Sequence, residues 1–312
     1  MRSANSQYTV QSVSGPLTPG QLGITQCHEH VSIDISGVNN DESYRLDDLA
    51  IVGEDLHAAA RCGLRTIVDV GTDGHRRSAA FLASAAAGSG LQIIAATGFW
   101  KEIVYPDYFD DSSVGEIAER LLADITAGIG GTAVRAGVIG ELGTEATGLT
   151  PRTEKAFRAC ASAQRQAGVA LITHTAEGIA ALDQLHLLLS CGVDPGRVMI
   201  GHVDCMDDIE MHSAIAEAGA FVGYDRVGSL RYQADEVRIR LITEMISRGY
   251  EKNIILSCDL ATRSRMRCRG ELGYSYLLEK FIPRLRDAGV TESMLQQILT
   301  DYPRRLLTGA PG

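Results

Sequence analysis

The fold class this sequence predicts is α/β, a (β/α)8 TIM barrel, and three observations carry that expectation. Short apolar runs rich in β-branched residues alternate with longer segments of helical periodicity along the whole chain. Eight such runs are present, the number a closed parallel barrel needs. Each run finishes in polar, chemically capable residues, and a barrel gathers the C-terminal ends of all its strands around one mouth. The rival arrangement, an open doubly wound sheet, shares the periodicity but would not bring eight strand ends to one place.

In chain order, residues 1 to 22 come first. The turn punctuation Ser14-Gly15-Pro16 and Pro19-Gly20 marks them as a short hairpin or ordered N-terminal arm. The eight strand runs follow as Gly23–His30, Arg65–Gly71, Gln92–Gly98, Ala136–Gly143, Val169–His174, Val198–His202, Ala220–Asp225 and Asn253–Asp259. Between them, Asp47–Cys62, Val114–Gly128, Glu154–Gly168, Ile179–Gly192, Met206–Ala218 and Asp235–Arg248 are long enough for helices, and several end at the glycine that commonly stops one. Residues 99–113, with Trp100, Tyr105, Tyr108 and Phe109, read as an aromatic loop after the third strand. Residues Leu260–Tyr276, with Arg263, Arg265, Arg267 and Arg269, read as a long loop after the eighth. Barrels of this kind commonly run past about 250 residues, so residues 1–312 are read as a single barrel domain.

Composition narrows the function classes. Hydrophobic residues at 45% and charged residues at 22% supply a large core and argue against disorder. The first ten residues hold no signal-peptide core, and no apolar run of about 18 residues follows, so the expectation is a cytoplasmic protein with no membrane partner. Seven cysteines are spread singly, which excludes a CxxC zinc finger and argues against a disulfide framework. Cys27 and Cys258 neighbour chemically capable residues, but adjacent side chains on a strand face opposite ways. A formal charge of −10 disfavours nucleic acid as a partner and leaves a small molecule as the expected one.

The strand ends carry the chemistry. His28 and His30 are two apart on one strand, so both imidazoles project from the same face into the barrel mouth. His174, His202 and Asp259 end the fifth, sixth and eighth runs, and Glu141 lies on the fourth. Four imidazoles and two carboxylates exceed the three or four protein ligands that one zinc ion takes, so two divalent ions are the economical explanation. Two dications bring four positive charges against three negative ones from Glu141, Asp259 and a bridging hydroxide, a balance that attracts an electron-rich carbonyl or phosphoryl oxygen. Mixed imidazole and carboxylate donors suit zinc first, and also manganese, cobalt or iron. His57, His186 and His212 fall in helical segments and His75 in a Gly- and Arg-containing loop, and all four are read as surface or capping residues.

Those residues, in that order, resemble the amidohydrolase superfamily and, within it, the phosphotriesterase family, over nearly the whole chain. Gly23-Ile-Thr-Gln-Cys-His-Glu-His30 is similar to the family's opening strand and Gly201-His202-Val-Asp to its sixth. Leu256-Ser-Cys-Asp-Leu260, Gly273-Tyr-Ser-Tyr-Leu277 and Phe281-Ile-Pro-Arg-Leu285 resemble the branch called phosphotriesterase homology proteins. The resemblance implies that His28, His30 and Asp259 hold a more buried metal, that His174 and His202 hold a more exposed one, and that the chain forms a homodimer. Many family members bridge the metals with a carboxylated lysine, whereas Gly140-Glu141-Leu142-Gly143 offers a glutamate of the same charge and shorter reach. Tyr224-Asp225-Arg226 is closer to the pattern of the family's lactonases.

The expected reaction is hydrolysis of a small ester or lactone, carboxylic or phosphorylated, by a hydroxide bridging the metals, with Asp259 taking the proton. Asp204 and Asp225 would relay that proton outward or orient a histidine ring. Arg226, Trp100 and Tyr105 are the candidate substrate contacts, and the arginine-rich stretch would recognise an anionic group or serve as a solvated loop or subunit contact. Two alternatives remain: a metal-dependent phosphodiesterase of the deoxyribonuclease type, with the same HxH, Glu, His, His, Asp order, and a non-catalytic binding protein that keeps the fold.

Overall fold

The computed structural model describes residues 8–311, and all eight expected runs contain a strand. These are β1 (Ile24–Glu29), β2 (Leu64–Asp69), β3 (Gln92–Thr97), β4 (Ala136–Gly143), β5 (Ala170–His174), β6 (Val198–Ile200), β7 (Phe221–Tyr224) and β8 (Ile254–Leu256). They lie side by side in chain order, and every ladder between neighbours is parallel. Between β8 and β1 the described residues form no strand ladder, and other hydrogen bonds join the seam. The His28 amide donates to Ser257 Oγ at 2.9 Å, and the Asp259 amide donates to the His28 carbonyl at 3.2 Å. The Glu29 carboxylate accepts from the Cys258 and Leu260 amides at 2.6 and 2.9 Å.

Helices follow the strands as α1 (Leu49–Arg61), α2 (Ala79–Ser89), α3 (Val114–Thr126), α4 (Pro151–Ala167), α5 (Ala181–Ser190), α6 (Ile209–Glu217) and α7 (Asp235–Ser247). Their starts are written in the sequence. Asp48 accepts from the Ala50 and Ile51 amides at the head of α1, Ser113 and Glu116 form a reciprocal capping box on α3, and Thr150 precedes Pro151 on α4. Gly168 closes α4 in the left-handed conformation that favours glycine. Helix α2 is Ala- and Ser-rich and lacks a sharp apolar stripe, which is why its periodicity is faint in the sequence.

Two parts of the fold position the mouth. Glycine at 143 is required by close approach: a Cβ there would lie 2.1 Å from the Trp100 carbonyl, and the Gly143 amide donates to the Phe99 carbonyl at 3.0 Å. The loop after β3 is thereby drawn across the end of β4. At the opposite end, Val10–Ser12 pairs antiparallel with Gly15–Leu17, and the Val13 amide donates to the Ile93 carbonyl at 2.9 Å. The expected hairpin is therefore present, while the first seven residues of that arm lie outside the described residues.

Several strands end one to three residues earlier than expected, and two of these ends bear on the site. The sixth and eighth runs were expected to extend to His202 and Asp259, but β6 stops at Ile200 and β8 at Leu256. His202 and Asp259 instead adopt φ of 61° and 45°, a left-handed backbone uncommon outside glycine. With that turn, both side chains reach the cluster that also holds His28. Among the described residues, no helix is long and apolar enough to cross a membrane.

Candidate metal centre

The six residues expected as ligands meet at the C-terminal mouth. His28, His30 and Glu141 offer ligand atoms within 4.8 Å of one another, as do His28, His202 and Asp259, and Glu141, His174 and His202. The alternation on β1 does what the spacing predicts: His28 and His30 both reach the cluster, while Glu29 between them turns to the seam. Glu141 lies in the middle. Its Oε1 is 3.4 Å from His28 Nε2 and 3.2 Å from His202 Nε2, and it also meets His174 Nδ1 in a short contact, while Oε2 is 3.7 Å from His30 Nε2. Asp259 places Oδ1 3.3 Å from His30 Nε2 and Oδ2 3.9 Å from His202 Nε2.

The ring nitrogens show that this is donor geometry. Asp225 Oδ1 accepts from His202 Nδ1 at 2.8 Å, so the proton of the neutral ring sits on Nδ1 and Nε2 carries a lone pair toward the cluster. Asp225 Oδ2 lies 3.0 Å from His28 Nδ1 and leaves His28 Nε2 facing the same centre. His202 Nε2 and His174 Nδ1 approach to 2.9 Å. His28 Nε2 and Glu141 Oε2 are buried with no hydrogen-bond partner among the described residues. Unpaired buried polar atoms cost free energy, and a converging set of imidazole nitrogens and carboxylate oxygens is what a divalent cation satisfies. The donor set fits metal ions.

The electrostatics point the same way. Burial opposes ionisation of Glu141, yet His174, His202 and His28 around it hold its carboxyl well below the usual range. Burial likewise opposes ionisation of Asp259, and His202, His30 and Arg226 outweigh it. The same neighbours thus favour the charged form of both carboxylates, the form that binds cations. His174 is pushed down to about 3, chiefly by burial, whereas in His28, His30 and His202 burial is outweighed by Asp225, Glu141 and Asp259, which push these rings up, so a bound cation would take the place of their protons.

Above the cluster opens a cavity of about 380 Å³ whose floor includes His30, Glu141, His174 and Asp259. Arg226 and Trp100 line it. Arg226 donates through Nε to Asp259 Oδ2 at 3.1 Å and lies 3.9 Å over the Tyr232 ring, while Trp100 packs edge-on to His174 at 6.0 Å. Tyr105 is not brought to this cavity: it stacks with Phe99 and Phe109 and lines a smaller neighbouring one. Asp225 orients histidine, whereas Asp204 is taken up by Arg238 Nε at 2.6 Å and the Arg226 amide at 3.2 Å, a loop-holding role. The arginine stretch is mostly structural. Arg263 pairs with Asp47, Arg267 with Glu279, and Arg265 reaches the rim but donates to the carbonyls of Cys258, Asp259 and Val227. Cys27 and Cys258 are buried thiols, pushed up chiefly by burial.

Three residues at the site escaped the sequence reading. Glu29 ties the backbone on either side of Asp259 to β1. Asp69 accepts from the Val31, Ser32 and Gly71 amides and so fixes the turn that follows His30. His75 is buried, not on the surface, and its Nε2 comes within 3.4 Å of Glu141 Oε2. It is a capping residue as expected, since Nδ1 receives the Thr72 amide at 3.0 Å, but the same ring also faces the cavity. The signal was its place six residues past the end of β2, where a barrel loop returns over the mouth. His212 is likewise buried and bonded, to Tyr224 and Val203, while His57 and His186 are exposed.

Eight parallel strands with imidazoles and carboxylates gathered at their C-terminal ends define a TIM barrel that carries a candidate metal site at its mouth. The profile of the phosphotriesterase family matches residues 8–307, and the chain belongs to that family. It is 34% identical to the phosphotriesterase homology protein of Escherichia coli over 281 residues, covering 90% of this chain and 96% of that one. The crystal structure of that protein, complexed with phosphate in its active site, superposes with a TM-score of 0.89 over 91% of this chain and 98% of that one. An aryldialkylphosphatase of Saccharolobus solfataricus is 30% identical, covering 92% of this chain and 95% of that one. The structure of a lactonase from Listeria monocytogenes, 26% identical, gives a TM-score of 0.91 over 97% of this chain and 100% of that one.

Proposed function

We propose that this chain is a binuclear metal-dependent hydrolase of small esters or lactones, carboxylic or phosphorylated, and that residues 1–312 form one barrel domain. The observation that carries the reading is the position of Glu141. Its carboxylate lies between the His28–His30 pair and the His174–His202 pair, which is where a single carboxylate can serve two ions. His28, His30 and Asp259 would hold one ion, His174 and His202 the other, and Glu141 both. Zinc is the first expectation, with manganese, cobalt or iron as substitutes. Bound there, the ions would supply Lewis acidity toward a carbonyl or phosphoryl oxygen and an acidified water.

The remaining steps fall to side chains on the cavity floor. Asp259 would accept a proton and return it to the leaving oxygen, a role supported by its Oδ1, which faces His30 Nε2 at 3.3 Å. Arg226 holds the other Asp259 oxygen and its guanidinium faces the cavity, where it would orient an electron-rich substrate. Trp100 supplies an apolar wall. A lactone is favoured by the relative named a lactonase and by Arg226, and the relative named an aryldialkylphosphatase keeps phosphoesters in the test. The substrate partner would be a small molecule, and a homodimer is the expected assembly.

The decisive test is metal content of protein purified without chelator, beside Glu141→Ala. About two ions per chain, falling in the variant, is the expected result, and a lactone, ester and phosphotriester panel with single-stranded DNA as control then reads the substrate class. One ion or none, unchanged by the substitution, rejects the bridged site.

A further inference from the structure

We propose that His75 is a positioning residue for Glu141, a neutral imidazole whose Nε2–H donates to Oε2 and fixes how the carboxylate presents its two oxygens. The inference rests on the metal-site reading of Glu141 given above.

The tautomer follows from the turn that carries the ring. Thr72 to His75 form a reciprocal cap after β2, in which the Thr72 amide donates to His75 Nδ1 at 3.0 Å, with the Thr72 hydroxyl at the same distance. A backbone amide can only donate, so Nδ1 carries the lone pair and the neutral ring holds its proton on Nε2. That proton has one buried carboxylate in front of it: Glu141 Oε2, 3.4 Å away and without another hydrogen-bond partner among the described residues. No hydrogen bond is formed at that separation in the structure, and a turn of the carboxylate about its last torsion would be needed to close it. The ring cannot swing away, because it is packed between His30 at 5.1 Å and Trp100 at 4.5 Å.

The two carboxylate oxygens have unlike surroundings. Oε1 meets His28, His174 and His202, whereas Oε2 meets His30 and His75. A glutamate free to turn about its last torsion could place both oxygens on one ion. A donor on Oε2 would hold the carboxylate plane so that Oε1 stays toward His28, His174 and His202 and Oε2 toward His30. Hydrogen bonds to ligating carboxylates are of this kind, and removing one typically lowers metal affinity about 10–100-fold.

The test uses metal-free protein titrated with zinc against a fluorescent competing chelator, for wild type, His75→Phe and His75→Gln. Phenylalanine keeps the ring and loses the donor, while glutamine restores an N–H. The expected result is zinc affinity at one site lowered roughly 10–100-fold in His75→Phe and largely recovered in His75→Gln, with metal-free melting temperatures close to wild type in both. Wild-type affinity in His75→Phe, or equal losses in both variants, overturns the proposal. The ring nitrogen shifts of 15N-histidine-labelled wild type give a reading that needs no variant to fold: a proton on His75 Nδ1 overturns it as well. A wild type that takes up no zinc rejects the metal-site reading itself and this role with it, whatever the tautomer.

Discussion

Asp225 Oδ1 accepts two hydrogen bonds from His202, one from its backbone amide and one from ring Nδ1, both at 2.8 Å. A ring held that way has one tautomer and one orientation, so its Nε2 lone pair is spent on the cluster. The other Asp225 oxygen lies 3.0 Å from His28 Nδ1, which puts one carboxylate behind a histidine of each proposed metal group.

Asp225→Asn keeps the size of the side chain but offers an acceptor at only one end. One histidine must then face an amide N–H and turn over its tautomer. The expected outcome is a loss of about 10–100-fold in metal affinity, with the metal-free fold largely retained. Isothermal titration of stripped protein with zinc reads it, and an unchanged affinity would show that neither ring depends on Asp225.

Glu29 is the side chain that closes the barrel next to Asp259. Burial pushes its carboxyl up to about 7, against the pull of the Leu260 and Cys258 amides and of Arg265, so the protein tolerates a carboxyl here for its two acceptors. Glutamine can accept only one of those amides and must aim its own N–H2 at the other. Glu29→Gln should cost about 1–3 kcal/mol in urea unfolding, and part of the loss of activity should appear as weaker metal binding, because the backbone holding Asp259 is loosened. Stability equal to wild type would mean that other contacts hold the seam.

How much of this was legible in the sequence depends on the range of the interaction. Strand alternation is local, so the eight runs and the shared face of His28 and His30 could be read directly. The order of strands then brought Glu141, His174, His202 and Asp259 to one rim. What could not be read was how the chain turns after a strand. The left-handed turns at His202 and Asp259 depend on tertiary hydrogen bonds to Asp225 and to the His28 carbonyl, and the burial of His75 depends on its packing between His30 and Trp100. Tyr105 was misplaced for the same reason: an aromatic loop at the mouth has two sides, and Phe99 and Phe109 draw this ring to the side away from the metal cluster.

Arg226 makes two demands that lysine cannot meet together. Its Nε donates to Asp259 while the planar guanidinium stacks on Tyr232, and an ammonium is a point charge without a face. Under the proposed function, Arg226→Lys should lower kcat/KM roughly 10–100-fold, the equivalent of one charge-assisted hydrogen bond. The split between kcat and KM tells which demand matters: a fall in kcat places the effect on Asp259, and a rise in KM places it on substrate. Full activity would remove Arg226 from the site.

His212 gives a pH dependence from a ring outside the metal cluster. Its Nε2 lies 2.9 Å from the Val203 carbonyl and its Nδ1 2.9 Å from the Tyr224 hydroxyl, so the neutral ring donates to the first and accepts from the second. Burial lowers its pKa, against the smaller raising effect of the Val203 carbonyl and of Asp208 and Asp207. The unfolded chain therefore binds a proton near its ordinary value of about 6.5 while the folded protein does not. This residue's contribution is fully present above that pH and is lost as pH falls through 6.5 toward the folded pKa. His212→Phe should cost about 1–3 kcal/mol at pH 8, because the Tyr224 hydroxyl and the Val203 carbonyl lose their partner, and the gap to wild type should narrow as pH falls below about 6.5. Urea unfolding of metal-free protein at several pH values measures both. A gap that stays constant across that range would show that the ring is protonated equally in the folded and unfolded states.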